Sequence, residues 1–212
     1  MNKTKFYEIA KEVTKVDYDT VDSLRDSREY IGEKHSPLNT AEGQYFPYIS
    51  VYTERLYPMF CRVMEHFSDS RSVDEIRFLD VGAGTGRIVR LAKEFGFQAE
   101  GIEYHSPYVE AGRKAHGLSE EELMVGDAFD LDSRFYRQFD VIYTYMPIRD
   151  KKLMCKLHTH LVYEATANTF PVLFVEMLPE YYPLNCMPKV KKDNIEGYFL
   201  KLLSYGSASF GY

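Results

Sequence analysis

No run in this sequence approaches the roughly 18 consecutive apolar residues that a membrane-spanning helix needs, which excludes a helical membrane protein as an expectation. The opening residues, MNKTKFYEIAKEV, lack the apolar segment of a secretory signal. Cysteine is scarce and odd in number. Cys61, Cys155 and Cys186 have neither the pattern of a disulfide framework nor metal-ligand spacing, so the sequence points to reduced thiols in a cytoplasmic protein. Tryptophan is absent while tyrosine occurs 18 times, so an aromatic at any single position says little by itself. Positive charge is in deficit, 26 Lys and Arg against 32 Asp and Glu, and the net charge of −6 disfavours a dedicated nucleic-acid binder without excluding one. Internal repeats and low-complexity tracts are lacking too.

What is present is ordinary globular composition, 45% apolar and 27% charged over 212 residues, enough for one domain with an N-terminal extension. Residues 1–72 read as helical. Phe6, Ile9, Val13 and Val16 space as one helical face, DTVDSLRDSREYIGEKH reads as a short helix or an ordered loop, and Val51, Leu56, Phe60, Val63 and Phe67 line a further helix that contains Pro58. From residue 73 to 212 strands and helices alternate. Strands are expected at IRFLDVG, AEGIEY, ELMVGDAF, FDVIYTYM and FPVLFVEML. Helices are expected at Gly86–Phe95, at Ser106–His116 with Ser106 as N-cap, and at Asp150–Ala165. The last residues read as one or two strands turning near Gly206. This pattern predicts an α/β fold: a doubly wound, mostly parallel sheet with helices on both faces, preceded by a helical N-terminal extension.

The stretch FLDVGAGTGR places glycines at 82, 84 and 86 directly after the first strand. In a doubly wound sheet that turn floors the ligand site, at the carboxyl ends of the strands. A dinucleotide fingerprint needs its third glycine or an alanine at position 87, where this chain has Arg87, and no Gly-Lys-Ser/Thr follows to make a phosphate-binding loop. Two acids sharpen the reading. Glu103 ends the second strand, where an ionised carboxylate accepts both hydroxyls of a ribose. Asp127, in GDAFD, ends the third strand, where it can meet an adenine ring. Three signals on three consecutive strand ends read as a nucleoside site.

With these motifs the chain from about 77 to 178 resembles a class I S-adenosylmethionine-dependent methyltransferase. LDVGAGTG is similar to the family's first motif, which implies contact with the amino-acid part of the cofactor for Asp80, Gly82, Ala83, Gly84 and Gly86. GIEY resembles the acidic second-strand motif, implying ribose binding by Glu103 and adenine packing by Tyr104. GDAFD resembles the third-strand motif, implying an adenine contact by Asp127 with Ala128 and Phe129 beside the ring. The smaller methionine tail explains why a third glycine is dispensable.

Methyl transfer from a sulfonium is an in-line displacement, so the protein mainly aligns the acceptor and excludes water. The acceptor is expected at the fourth-strand end, YTYMPIRD, with Tyr145, Met146 and Pro147 as the catalytic wall. Enzymes that methylate adenine or glutamine amines carry Asn/Asp-Pro-Pro-aromatic there, from which this chain departs. Gln44, Tyr45 and Tyr48 in GQYFPY are lid candidates over cofactor and acceptor. Lys151, Lys152 and Lys156, with Lys189, Lys191 and Lys192, follow the fourth and fifth strands; if they rim the pocket, they favour an acceptor bearing phosphate or carboxylate. PEYYPLNCMPKVKKDN reads as a loop over that site. His158 and His160, two apart on a helix, are not a metal pair, and His105 reads as an exposed loop residue.

The expected activity is methyl transfer to a small molecule or a protein side chain. The alternatives are a non-catalytic cofactor-binding module that works through a partner and an aminopropyl transferase. The latter needs acids in the fourth-strand loop, where only Asp150 stands.

Overall fold

A computed structural model of the chain describes residues 1–26, 51–145, 147, 148, 150–166, 173–177, 191–194 and 200–204. Parallel strands β1 (Arg77–Val81), β2 (Gln98–Glu103), β3 (Leu123–Val125), β4 (Val141–Thr144) and β5 (Leu173–Met177) alternate with helices as expected. With β6 (Lys191–Asn194) and β7 (Leu200–Ser204) they form a seven-stranded sheet in the order β3-β2-β1-β4-β5-β7-β6. β7 runs antiparallel to both β5 and β6. The chain moves outward from β1 through β2 to β3, then crosses back to β4 on the other side of β1. That reversal opens a crevice at the carboxyl ends of β1 and β4.

Successive strand residues face opposite sides of a sheet. Phe78 therefore belongs to one core and Leu79 to the other, and Val141 and Tyr143 alternate with Ile142 in the same way. The first core takes in α1 (Lys3–Asp26), α2 (Thr53–Phe67), α3 (Arg87–Phe95) and α4 (Ser106–His116). The second takes in Tyr136 of the short α5 (Ser133–Tyr136), and Met154, Leu157 and Leu161 of α6 (Lys151–Thr166). Helices thus cover both faces. Among the described residues no helix is long and apolar enough to cross a membrane.

The N-terminal helices share the core of the sheet. Phe60 of α2 is fully buried, with its ring 5.9 Å from Phe6 of α1, 5.9 Å from Phe78 of β1, 5.3 Å from Phe95 and 5.5 Å from Phe97. Aromatic pairs at such separations add about 0.5–1.5 kcal/mol each beyond the area they bury. Phe60→Ala is expected to cost about 3–5 kcal/mol, read as a lowered urea midpoint with an unchanged slope.

Three local expectations are corrected. On α1 the buried positions are Phe6, Ala10, Asp17 and Val21, whereas Val16 is 40% exposed. Ser106 is the first residue of α4, and His105 stands at the N-cap. The stretch Lys191–Asn194, expected to be loop over the acceptor site, is strand β6 at the far edge of the sheet, with Lys192 opposite Leu203. Lys-Lys-Asp-Asn has little intrinsic strand preference, but charged residues suit an edge that must not pair with another chain, and β7 supplies the partner. α2 continues through Pro58. The expected turn near Gly206 lies outside the described residues.

Candidate active site

The glycine turn leaves β1 and folds back onto β2. The amides of Gly82 and Ala83 both donate to the carbonyl of Ile102, at 2.9 and 3.0 Å, and Gly86 N donates to Ala83 O at 2.9 Å. Gly82 has φ +82°, a region that L side chains rarely adopt, and a Cβ there would stand 2.4 Å from the Cβ of Pro147. Glycine is therefore required twice at position 82. The same contact shows that the turn after β1 and the segment after β4 meet across the crevice.

Two acids lie beneath this turn. The half-buried Glu103 carboxylate accepts from Gly84 N and from His105 N, each at 2.9 Å. Burial raises its pKa, and the amides of His105, Gly84 and Tyr104 oppose the rise. Asp80, paired in register with Gly101 and Tyr143, is 2% exposed. Among the described residues no hydrogen-bond donor reaches its carboxyl. Burial, then the Glu103 carboxylate, push it up to about 8, with Arg87 opposing. An acid so placed is neutral at pH 7 unless a cation arrives to pair with it.

The third-strand end is built around Asp127, which caps the 3-10 turn Ala128–Asp130 by accepting from Phe129 N at 2.9 Å. Ala128 O accepts from the Tyr136 hydroxyl at 2.5 Å, and the Phe129 ring lies 5.7 Å from His160. Tyr104, next to Glu103, is 58% exposed, an uncovered aromatic at the mouth of the crevice.

After β4, Tyr145 is half-buried against the first core, and Pro147 touches the glycine turn. Burial raises the Tyr145 phenol above its ordinary value, and the Arg55 guanidinium opposes the shift most strongly. Arg55 lies on the first turn of α2, 5.5 Å from the Tyr52 ring. Met146, Gln44, Tyr45, Tyr48 and Lys189 lie outside the described residues. Lys152 and Lys156 are exposed on α6, while Lys191 and Lys192 sit on β6, separated from β4 by β5 and β7.

His105 is buried at 3% exposure, its ring 4.7 Å from that of Tyr108, which corrects the exposed-loop expectation. His158 is buried and pushed down to about 4, and His160 Nε2 lies 3.1 Å from Leu131 O. Among the described residues no group of three His, Cys, Asp or Glu is placed to hold a metal ion.

Arg87 carried only a negative message in the sequence, as the residue that breaks a dinucleotide pattern. It is buried, and its Nε lies 3.8 Å from a carboxylate oxygen of the equally buried Asp17. A signal for Asp17 was present: at spacing 6-10-13-17 it is an acid on the apolar face of α1, and acids are almost never fully buried unless paired.

Residues 72–173, the span that holds β1 to β4 and all three strand-end motifs, match the family model described as a methyltransferase domain. The likeness is to a methyltransferase domain, over just under half of the chain. The cofactor of that family is S-adenosylmethionine. No curated protein matches the chain in sequence. Among solved structures, the same fold recurs in a hypothetical protein of Thermus thermophilus, 15% identical, with 72% of this chain covering 85% of that one at TM-score 0.50. An RNA methyltransferase from Salinibacter ruber in complex with S-adenosyl-L-homocysteine is 21% identical, covering 75% of this chain and 95% of that one at TM-score 0.48. The Pyrococcus abyssi tRNA (uracil-54, C5)-methyltransferase, also with S-adenosyl-L-homocysteine, is 15% identical over 74% of this chain and 39% of that one, TM-score 0.49. At 15% identity the likeness to the Thermus thermophilus protein speaks to the fold alone.

Proposed function

We propose that this methyltransferase domain binds S-adenosylmethionine across the carboxyl ends of β1, β2 and β3. It then transfers the methyl group to a small molecule or a protein side chain held at the end of β4. The observation that carries the reading is Asp80. A nearly buried carboxyl with no donor among the described residues, set under a glycine turn, fits the ammonium of an amino-acid moiety. Glu103 keeps lone pairs beyond its two amide bonds and would take the ribose hydroxyls. Tyr104, with its exposed face, and Asp127, with Ala128 and Phe129, would flank the adenine.

The cofactor supplies an already activated methyl group. The chain's own work is placement and the exclusion of water. Gly82 permits close approach at the turn, and Pro147 against Gly82 holds the segment after β4 beside it. Tyr145 offers a phenol that is protonated at neutral pH, a donor that orients the acceptor rather than a base. Gln44, Tyr45 and Tyr48 would close over the pair from the N-terminal segment. An acceptor bearing phosphate or carboxylate would find Arg55 beside Tyr145. The odd, unspaced cysteines support a cytoplasmic setting.

Calorimetric titration tests this. The wild type is expected to bind S-adenosylmethionine at micromolar Kd and to ignore NAD, and Glu103→Ala to weaken binding at least about tenfold by removing charge-assisted hydrogen bonds worth roughly 1.5–3 kcal/mol. Absence of binding by the folded wild type would sink the reading. Binding without adenosylhomocysteine formation in the presence of cell extract would leave the non-catalytic module in its place.

A further inference from the structure

A set of buried polar side chains beside the glycine turn has no part in the contacts assigned above. Asp17, fully buried on α1, accepts a hydrogen bond from the Thr85 hydroxyl and lies 3.4 Å from His116 Nε2 on α4. Arg87, the first residue of α3, donates to Thr14 Oγ1 at 3.0 Å, to Thr53 Oγ1 at 3.2 Å and to the carbonyl of Val51. Thr85 is fully buried. On its other side α4 comes so near that a Cβ at Gly112 would stand 2.0 Å from the Thr85 carbonyl oxygen. The end of the turn is thus gripped between α1 and α4, and Arg87 ties in the start of α2.

Packing does not ask for this arrangement. An apolar residue at position 17 would continue the face formed by Phe6, Ala10 and Val13, whereas a carboxylate taken out of water must be compensated by charge and hydrogen bonds. What a carboxylate does there, and a leucine would not, is hold the residues on both sides of Gly86 at once: Thr85 through its hydroxyl and Arg87 through its guanidinium.

We propose that Asp17 is a positioning residue for the cofactor turn, fixing Gly84–Gly86 through Thr85 and Arg87, so that helix α1 is a working part of the cofactor site. The proposal rests on reading that site as one for S-adenosylmethionine. It assigns to the N-terminal extension a role beyond covering the sheet. The cofactor affinity depends on a side chain far upstream of the motif that defines the family.

Two readouts test it on the full chain, well below the melting temperature: calorimetric affinity for S-adenosylmethionine, and amide hydrogen exchange across Gly82–Gly86 in the free protein. Thr85→Val keeps the shape and removes the hydroxyl. It is expected to weaken binding about tenfold and to speed exchange in the turn, while Thr85→Ser retains both. Asp17→Asn is expected to act in the same direction, and Thr85→Val carries the test if that variant does not fold. Phe6→Leu, on the same helix but away from the network, is expected to lower the melting temperature and leave affinity and turn exchange alone. Wild-type affinity and exchange in Thr85→Val would overturn the proposal, as would an equal loss of affinity in Phe6→Leu. If the wild type itself did not bind, the functional reading would fall. The exchange data would then decide alone, with faster exchange in Thr85→Val supporting the positioning role and unchanged protection overturning it.

Discussion

Asp80→Asn is expected to flatten the pH dependence of stability and to remove S-adenosylmethionine binding. In the unfolded chain this carboxyl titrates near its ordinary 3.8, while in the folded protein burial and the nearby Glu103 carboxylate raise it to about 8. A group whose folded pKa is raised contributes stability that is fully present below the unfolded value and lost as pH rises towards the folded one. Between pH 4 and pH 8 the free wild type should therefore lose stability of the order of 5 kcal/mol from this one residue, at about 1.36 kcal/mol per unit. Asparagine has the same shape and no charge, so the variant should show no such loss. Urea unfolding of both proteins at pH 4.5, 6 and 8 reads the difference between the two slopes. Parallel curves would mean that Asp80 does not titrate as a buried acid.

The same acid should make binding release a proton. An ammonium placed against Asp80 favours the carboxylate, so an acid that is neutral in the free protein at pH 7 ionises as the complex forms. Titrations in buffers of different ionisation enthalpy count that proton, and the count should fall as pH rises through 8. Asparagine can accept a hydrogen bond from an ammonium but cannot balance its charge in a site closed to water. The affinity loss should therefore exceed that of Glu103→Ala, whose oxygens would meet neutral hydroxyls in the proposed complex. Both results together would mean that one residue holds the site ready for a cation at the expense of the free protein's stability.

The parts of this fold that were legible in the sequence are those set by short-range pattern. α3 ends at Gly96 and α4 at Gly117, both at positive φ, as helices commonly do. β1 and β4 are nearly continuous apolar runs, as strands covered on both faces must be. The strand-end acids were legible because topology brings consecutive parallel strands out on one edge. What stayed hidden depends on partners far away in the chain. β6 is a strand because β7 pairs with it, and nothing within Lys-Lys-Asp-Asn says so. Gly82 read as turn chemistry, but its close neighbour is Pro147, 65 positions on. Asp17 stands on the apolar face of α1 and Arg87 at the start of α3, but that the two meet shows only when α1 is laid against α3 and α4. The pattern of a sequence tells which face of a helix is buried, and only tertiary pairing tells which charge is buried with it.

Arg87→Met is expected to be the most damaging single change outside the hydrophobic core. It leaves the Asp17 carboxylate and the Val51 carbonyl buried without their guanidinium, and breaking a buried ion pair from one side costs about 3–5 kcal/mol. Pairing it with Asp17→Leu removes the uncompensated charge as well. Replacing both members of a buried pair by apolar residues of similar size is often neutral or favourable by about 1–4 kcal/mol. The double variant should therefore recover the part of the unfolding free energy that the unpaired charge cost in Arg87→Met, while the Val51 carbonyl is left without its guanidinium and the Thr85 hydroxyl without its carboxylate. It should not recover cofactor affinity, because no carboxylate remains to hold Thr85. Stability that returns without binding would mean that the network is retained for the geometry of the turn. Stability and affinity that return together would mean that the two charges serve only each other, and that the turn needs nothing from α1 but its bulk.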